Sequence, residues 1–125
     1  MKLPIQKGKE VIFQKVSPQQ GFTLENQERK LADIRDIDVE DYLEDMFDSP
    51  DDFVILTATE AQNKIRYVQA CTHDGDIEVE LGVEDEEGTH LYYKMCTQEE
   101  CYCIFLDFYD NTFVPVMEEY KPVEF

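Results

Sequence analysis

Two stretches of this chain alternate apolar and polar residues with a period of two, the signature of half-buried strands. They are residues 65–72 and 77–83, and between them stands Asp74-Gly75, a pair suited to the positive φ angles of a tight hairpin turn. The turn pairs Thr72 with Ile77, Ala70 with Val79 and Val68 with Leu81 on the core face. Tyr67, Gln69 and Cys71 then fall on the opposite face beside Glu78 and Glu80. After the acidic loop 84–87, a three-residue turn with Gly88 in the left-handed position pairs Val83 with Leu91, Leu81 with Tyr93 and Val79 with Met95. This register sets Lys94 opposite Glu80 and His90 opposite Glu84, and leaves Tyr92 outward.

A different period appears at Val39, Tyr42, Leu43, Met46 and Phe47, the stripe of an amphipathic helix capped by Asp38 and ended at Ser49-Pro50. Thr97 and Glu100 form a capping box that opens a second helix, with Cys101, Ile104, Phe105 and Phe108 along its stripe and Asp110-Asn111 near its end. Residues 53–58, apolar but for Thr57, predict a central strand buried on both faces. Pro115 confines a strand over 113–117 to a sheet edge. Residues 11–16 predict a first strand broken by Ser17-Pro18, while 22–37 read mostly as loop with at most a helical turn. The sum is an α+β fold with a mainly antiparallel sheet of about five strands and two amphipathic helices.

At 125 residues, with 42% hydrophobic side chains and no linker or repeat, the chain has material for one core and reads as a single domain spanning 1–125. Charge adds a second feature, because 29 acidic residues face 11 basic ones and leave a net charge of -18. The imbalance is uneven: residues 1–35 hold seven bases against four acids, for +3, and residues 36–125 hold four bases against 25 acids, for -21. An acidic body repels phosphate backbones and anionic lipid, which argues against nucleic-acid and membrane partners. No apolar stretch approaches the length of a membrane span and no secretion signal opens the chain, so a cytoplasmic location with reduced cysteines is expected.

The search for chemistry yields little. Asp74-Gly75-Asp76 lacks the glycine and glutamate positions of a calcium loop, and Cys96, Cys101 and Cys103 match no zinc knuckle or redox pair, so these thiols read as packing residues. His73 lies in a turn near Cys71, and His90 is too far along its strand to reach Cys96. No catalytic residue, metal site or cofactor is assigned, and an enzyme is not expected.

The acidic surface itself has two readings: solubility alone, or an electrostatic counterpart to a basic partner. The helix face Glu40, Asp41, Glu44, Asp45 and Asp48 has no basic residue at helical spacing, and its later acids lie near the negative helix end, a cost that a passive surface need not carry. Candidate contacts are therefore Asp41, Glu44, Asp45, Asp48, Glu78, Glu80, Glu84, Asp85, Glu86 and Glu87, with Tyr67 and Tyr92 as aromatic anchors.

Through Tyr67-Val68-Gln69, the acidic strand 77–81, Leu91-Tyr92-Tyr93 and the helix ending Phe105-Leu106-Asp107-Phe108-Tyr109, roughly residues 53–114, the chain resembles small acidic immunity proteins of bacterial polymorphic-toxin systems of the contact-dependent inhibition type. That resemblance implies a cytoplasmic antidote that binds a cognate toxin domain, often a basic nuclease cleft, and carries no catalytic residues. The alternative is an acidic cytosolic domain of structural or regulatory role with weak cation binding, and a small-molecule enzyme stands third.

Overall fold

The computed structural model describes residues 21–124; the strand expected over 11–16 lies outside them. Seven strands form one antiparallel sheet: β1 (Phe22–Glu25), β2 (Lys30–Ala32), β3 (Phe53–Gln62), β4 (Ile65–His73), β5 (Asp76–Asp85), β6 (Gly88–Cys96) and β7 (Lys121–Pro122). Their order is β2-β1-β3-β4-β5-β6-β7. Two helices, α1 (Asp36–Phe47) and α2 (Gln98–Tyr109), lie side by side on one face, against β3 and β4, with α2 reaching β5. The α+β class and the antiparallel sheet agree with the sequence, but among the described residues the strands number seven rather than about five.

The β4–β5 hairpin has the predicted register, Thr72 opposite Ile77, Ala70 opposite Val79 and Val68 opposite Leu81. Its two-residue turn has φ of 53° at Asp74 and 91° at Gly75, the positive values that such a turn demands. A second turn of this kind, Asn63 and Lys64 with φ of 51° and 70°, joins β3 to β4, so β3 runs four residues past the predicted end at Ala58. Only one face of β3 is sealed: Val54, Leu56 and Ala58 are buried, while Phe53, Ile55 and Thr57 are half-buried on the other side.

The β5–β6 register differs from the expectation by one residue. Asp85 pairs with Gly88 around the two-residue loop Glu86-Glu87, so Leu81 faces Tyr92, Glu80 faces Tyr93 and Val79 faces Lys94. Consequently Tyr92 turns toward the helix side, and Tyr93 and Met95 turn away from it; His90 stands opposite Val83 rather than Glu84. The C-terminal tail explains how Lys94 can sit inward. Its ammonium lies 2.8 Å from Glu119 Oε1 and 3.6 Å from Glu100 Oε2, above the Tyr120 ring, so the apolar stem packs inside while the charge remains partnered.

Both helices carry the predicted stripes. Val39, Tyr42, Leu43 and Met46 of α1 and Cys101, Ile104, Phe105 and Phe108 of α2 are buried, joined by Tyr109, whose hydroxyl donates to the Ile34 carbonyl at 2.8 Å. Thr97 caps α2 as expected: its hydroxyl accepts from Glu100 N–H at 3.1 Å, and Glu100 Oε1 accepts from Thr97 N–H at 3.2 Å. α1 begins earlier than Asp38. That residue occupies the third helical position, where its carboxylate reaches back to Arg35 N–H at 2.9 Å.

Residues 22–37, expected as loop, hold β1, β2 and the start of α1. Phe22 and Leu24 are buried, and Leu24 pairs with Leu31 across the two short strands. Residues 113–117 do not form a strand; Phe113 is buried and the chain then enters a 3-10 turn, Met117–Glu119, before β7 takes the edge.

Candidate protein-binding face

Because side chains alternate, the sheet face opposite the helices is built from the other half of each strand. Among the described residues no element covers it. Glu78 stands between Cys71 and Met95, and Glu80 between Gln69 and Tyr93, on adjacent strands. Tyr67 pairs with Gly82, and its ring lies where a side chain on residue 82 would be, so the absent Cβ makes the seat for the tyrosine. From there the Tyr67 hydroxyl donates to Glu80 Oε1 at 3.4 Å. A groove of about 580 Å³ runs beside Glu78, Glu80 and Tyr93 to Lys121 and Pro122 of the edge strand.

Electrostatics on this face are governed by partial burial next to like charge. Desolvation, with the charge of Glu78 adding to it and the Tyr67 hydrogen bond opposing it, raises the Glu80 carboxyl above the usual range. Burial and the Glu80 charge push the Tyr67 phenol up to about 12. Burial together with Glu78, Glu80 and Asp51 pushes the Cys71 thiol up to about 11, so it stays protonated at neutral pH. Its sulfur lies 3.3 Å from His73 Nε2, which confirms their proximity but describes a thiol held away from its nucleophilic form.

The candidate contacts occupy three separate places. Glu78, Glu80 and Tyr67 share the open sheet face. Asp41 and Asp45 are exposed on α1 and Asp48 at its C-terminal cap, in the layer on the other side of the sheet; Glu44 is exposed there too, and burial together with its charge raises the Tyr102 phenol of α2. Glu84 to Glu87 sit at the β5–β6 hairpin tip, where two are already engaged: Glu84 takes a two-pronged bond from Arg66 at 2.9 and 3.1 Å, and Asp85 meets His90 Nε2 at 3.1 Å. The Glu87 N–H bond to Asp85, ahead of the His90 contact, holds the Asp85 carboxyl below its ordinary value. Asp85, Glu87 and His90 are the described residues whose donor atoms converge within 4.8 Å, the set that could hold a metal ion.

Tyr92, the second proposed anchor, packs against the core on the helix side. Its neighbour Tyr93 takes the outward position, joined by Met95, 51% exposed, and by half-buried Phe53 and Ile55 of β3. These four were missed. The Tyr92-Tyr93 doublet was the available signal, and a one-residue shift in the β5–β6 register decides which ring faces out.

Comparison with protein-family models, with curated proteins and with solved structures finds no match. No helix among the described residues is long and apolar enough to cross a membrane.

Proposed function

We propose that this chain is a non-enzymatic, cytoplasmic binding protein that neutralises a basic protein partner, in the manner of an immunity protein covering a toxin domain. One observation carries this reading: Glu78 and Glu80 stand half-buried on a sheet face that no described element covers, with Tyr67 and Tyr93 beside Glu80. Two carboxylates about 7 Å apart along a strand, with two tyrosine rings beside one of them, suit arginine or lysine side chains, which gain both ion pairing and ring contact. The raised Glu80 carboxyl supports the same reading, because a bound cation would offset the partial burial that chiefly lifts it and the charge of Glu78 that adds to it. The net charge of -18 steers a basic protein toward any side of the molecule, and the α1 acids act in that encounter rather than in the seat itself.

The test is capture from the host at low and high salt, followed by coexpression. A captured basic protein that arrests growth alone, but not beside this chain, supports the proposal. Glu78→Lys with Glu80→Lys should then abolish protection while circular dichroism stays unchanged. Recovery of no basic protein at either salt concentration ends the reading, and undiminished protection by the folded double variant removes the sheet face from it.

A further inference from the structure

The cap of α2 places two thiols together. Thr97 is the capping residue, Cys96 immediately precedes it, and Cys101 is the fourth residue inside the helix, with its N–H bonded to the Thr97 carbonyl at 3.0 Å. In a capped helix these two positions meet over the first turn, normally as a pair of apolar side chains that fixes the direction of the incoming strand. Here both partners are cysteines, Cys101 fully buried and Cys96 half-buried at the end of β6, and both are unoxidised. We propose that Cys96 is a site of oxidative modification by hydroperoxides, with Cys101 as the thiol that resolves it to an intramolecular disulfide.

The four thiols differ in the way such a site requires. Cys71 is pushed up to about 11 and offers little thiolate. Cys101 is wholly buried, out of reach of a peroxide in solution, so it cannot begin the reaction. Cys96 is half-buried and so the reachable member of the pair, and interaction with the Cys101 thiol, with Lys94 adding to it, favours its thiolate against opposition from burial and Glu100. Cys103 is exposed, but two residues along a helix point to different sides, and it does not share the buried position of Cys101.

In the first step the Cys96 thiolate attacks one peroxide oxygen and the O–O bond breaks. Cys96 becomes a sulfenic acid, and the departing hydroxide takes a proton to form water. The Cys101 sulfur then attacks the Cys96 sulfur, the S–S bond forms, the S–O bond breaks, and the hydroxide leaves with the Cys101 proton as a second water. Two thiols have together lost two electrons and two protons, and one hydrogen peroxide has been reduced to two waters.

The experiment uses the full chain carrying Cys71→Ser and Cys103→Ser, treated with hydrogen peroxide and read by intact mass and peptide mapping. The expected product is lighter by about 2 Da, links Cys96 to Cys101, and reverts with dithiothreitol. It should form at least about tenfold faster in the folded chain than in strong denaturant, because the cap holds the sulfurs in place. Adding Cys101→Ala, with retention of fold checked by circular dichroism, should replace the disulfide with a sulfenic acid at Cys96 that dimedone traps. The proposal is overturned if Cys96 stays unmodified or goes only to sulfinic acid with Cys101 present, or if folded and denatured chains close at equal rates.

Discussion

The two faces of this sheet come from the same strands and differ only in which alternate residues they show. Toward the helices, β3, β4 and β5 present Val54, Leu56, Val68, Ala70, Val79 and Leu81, all of them wholly buried. Away from the helices the same three strands present Ile55, Tyr67, Gln69, Glu78 and Glu80, all half-buried. The first face is resolved by packing within the chain. The second holds carboxylates next to one another in partial shelter from water, a state that stability alone would not select, and its aromatic rings lie beside charge rather than beneath a helix. Function is therefore sought on the face where local energetics are least favourable.

The largest expected effect sits on the sealed face. Phe105→Ala should cost roughly 3–5 kcal/mol in denaturant unfolding, because the ring is fully buried under α2 and its removal leaves a cavity. Loss of less than 1 kcal/mol would mean that the helix side is not the organising core. Gly82→Ala probes the open face at its tightest point. The added Cβ would fall inside van der Waals distance of the Tyr67 ring, so a loss of about 1–3 kcal/mol is expected, with the Tyr67 to Glu80 hydrogen bond broken. An unchanged Tyr67 environment by NMR would show that the ring does not rest on Gly82.

A smaller effect with the opposite sign separates the faces more sharply. The Glu80 carboxyl is raised in the folded state, so the native protein holds a proton there after the unfolded chain has lost it. Its contribution is most favourable below its ordinary value and falls as pH rises through the raised one, leaving a constant penalty at neutral pH. Glu80→Gln should therefore stabilise at pH 7, by about 0.5 kcal/mol for a half-exposed group, and should remove part of the gain seen on mild acidification. Glu100, at the α2 cap, runs the other way. Thr97 N–H chiefly holds it below its ordinary value, so its contribution is present at neutral pH and lost as pH falls through the lowered one. Glu100→Gln should destabilise at pH 7 and leave the pH 3 limb flatter, as thermal melts across pH would show. The smallest effect is salt dependence: monovalent salt should raise the melting temperature by screening repulsion over about 8 Å at physiological ionic strength. A steady fall would show that pairs such as Arg66 with Glu84 outweigh the repulsive majority.

Legibility in the sequence followed the range of the interactions involved. Asp74-Gly75 fixes the β4–β5 register because a two-residue turn and the alternating strands around it agree, and all the needed information lies within a few residues. The helices were readable for the same reason. β1 and β2 were not, since four and three residues are too short to show a period, and they exist because Leu24 and Leu31 close over a core made elsewhere. The β6 register depends on Lys94 meeting Glu119 and Tyr120, some 25 residues away, a contact that no local pattern reports. That single-residue shift is also why the candidate face was named with Tyr92 when Tyr93 occupies it.

The edge strand carries a further consequence. β7 covers β6 through only two residues, Pro122 opposite Tyr92 and Lys121 opposite Tyr93, with Val123 N–H bonded to the Leu91 carbonyl at 2.8 Å. Pro122 has no N–H to donate outward, so the last strand cannot fully template another one. The tail thus acts as a stopper against edge-to-edge growth. A chain shortened before Lys121 would bare the nine residues of β6, with Leu91, Tyr93 and Met95 along one side, to pairing with its own copies.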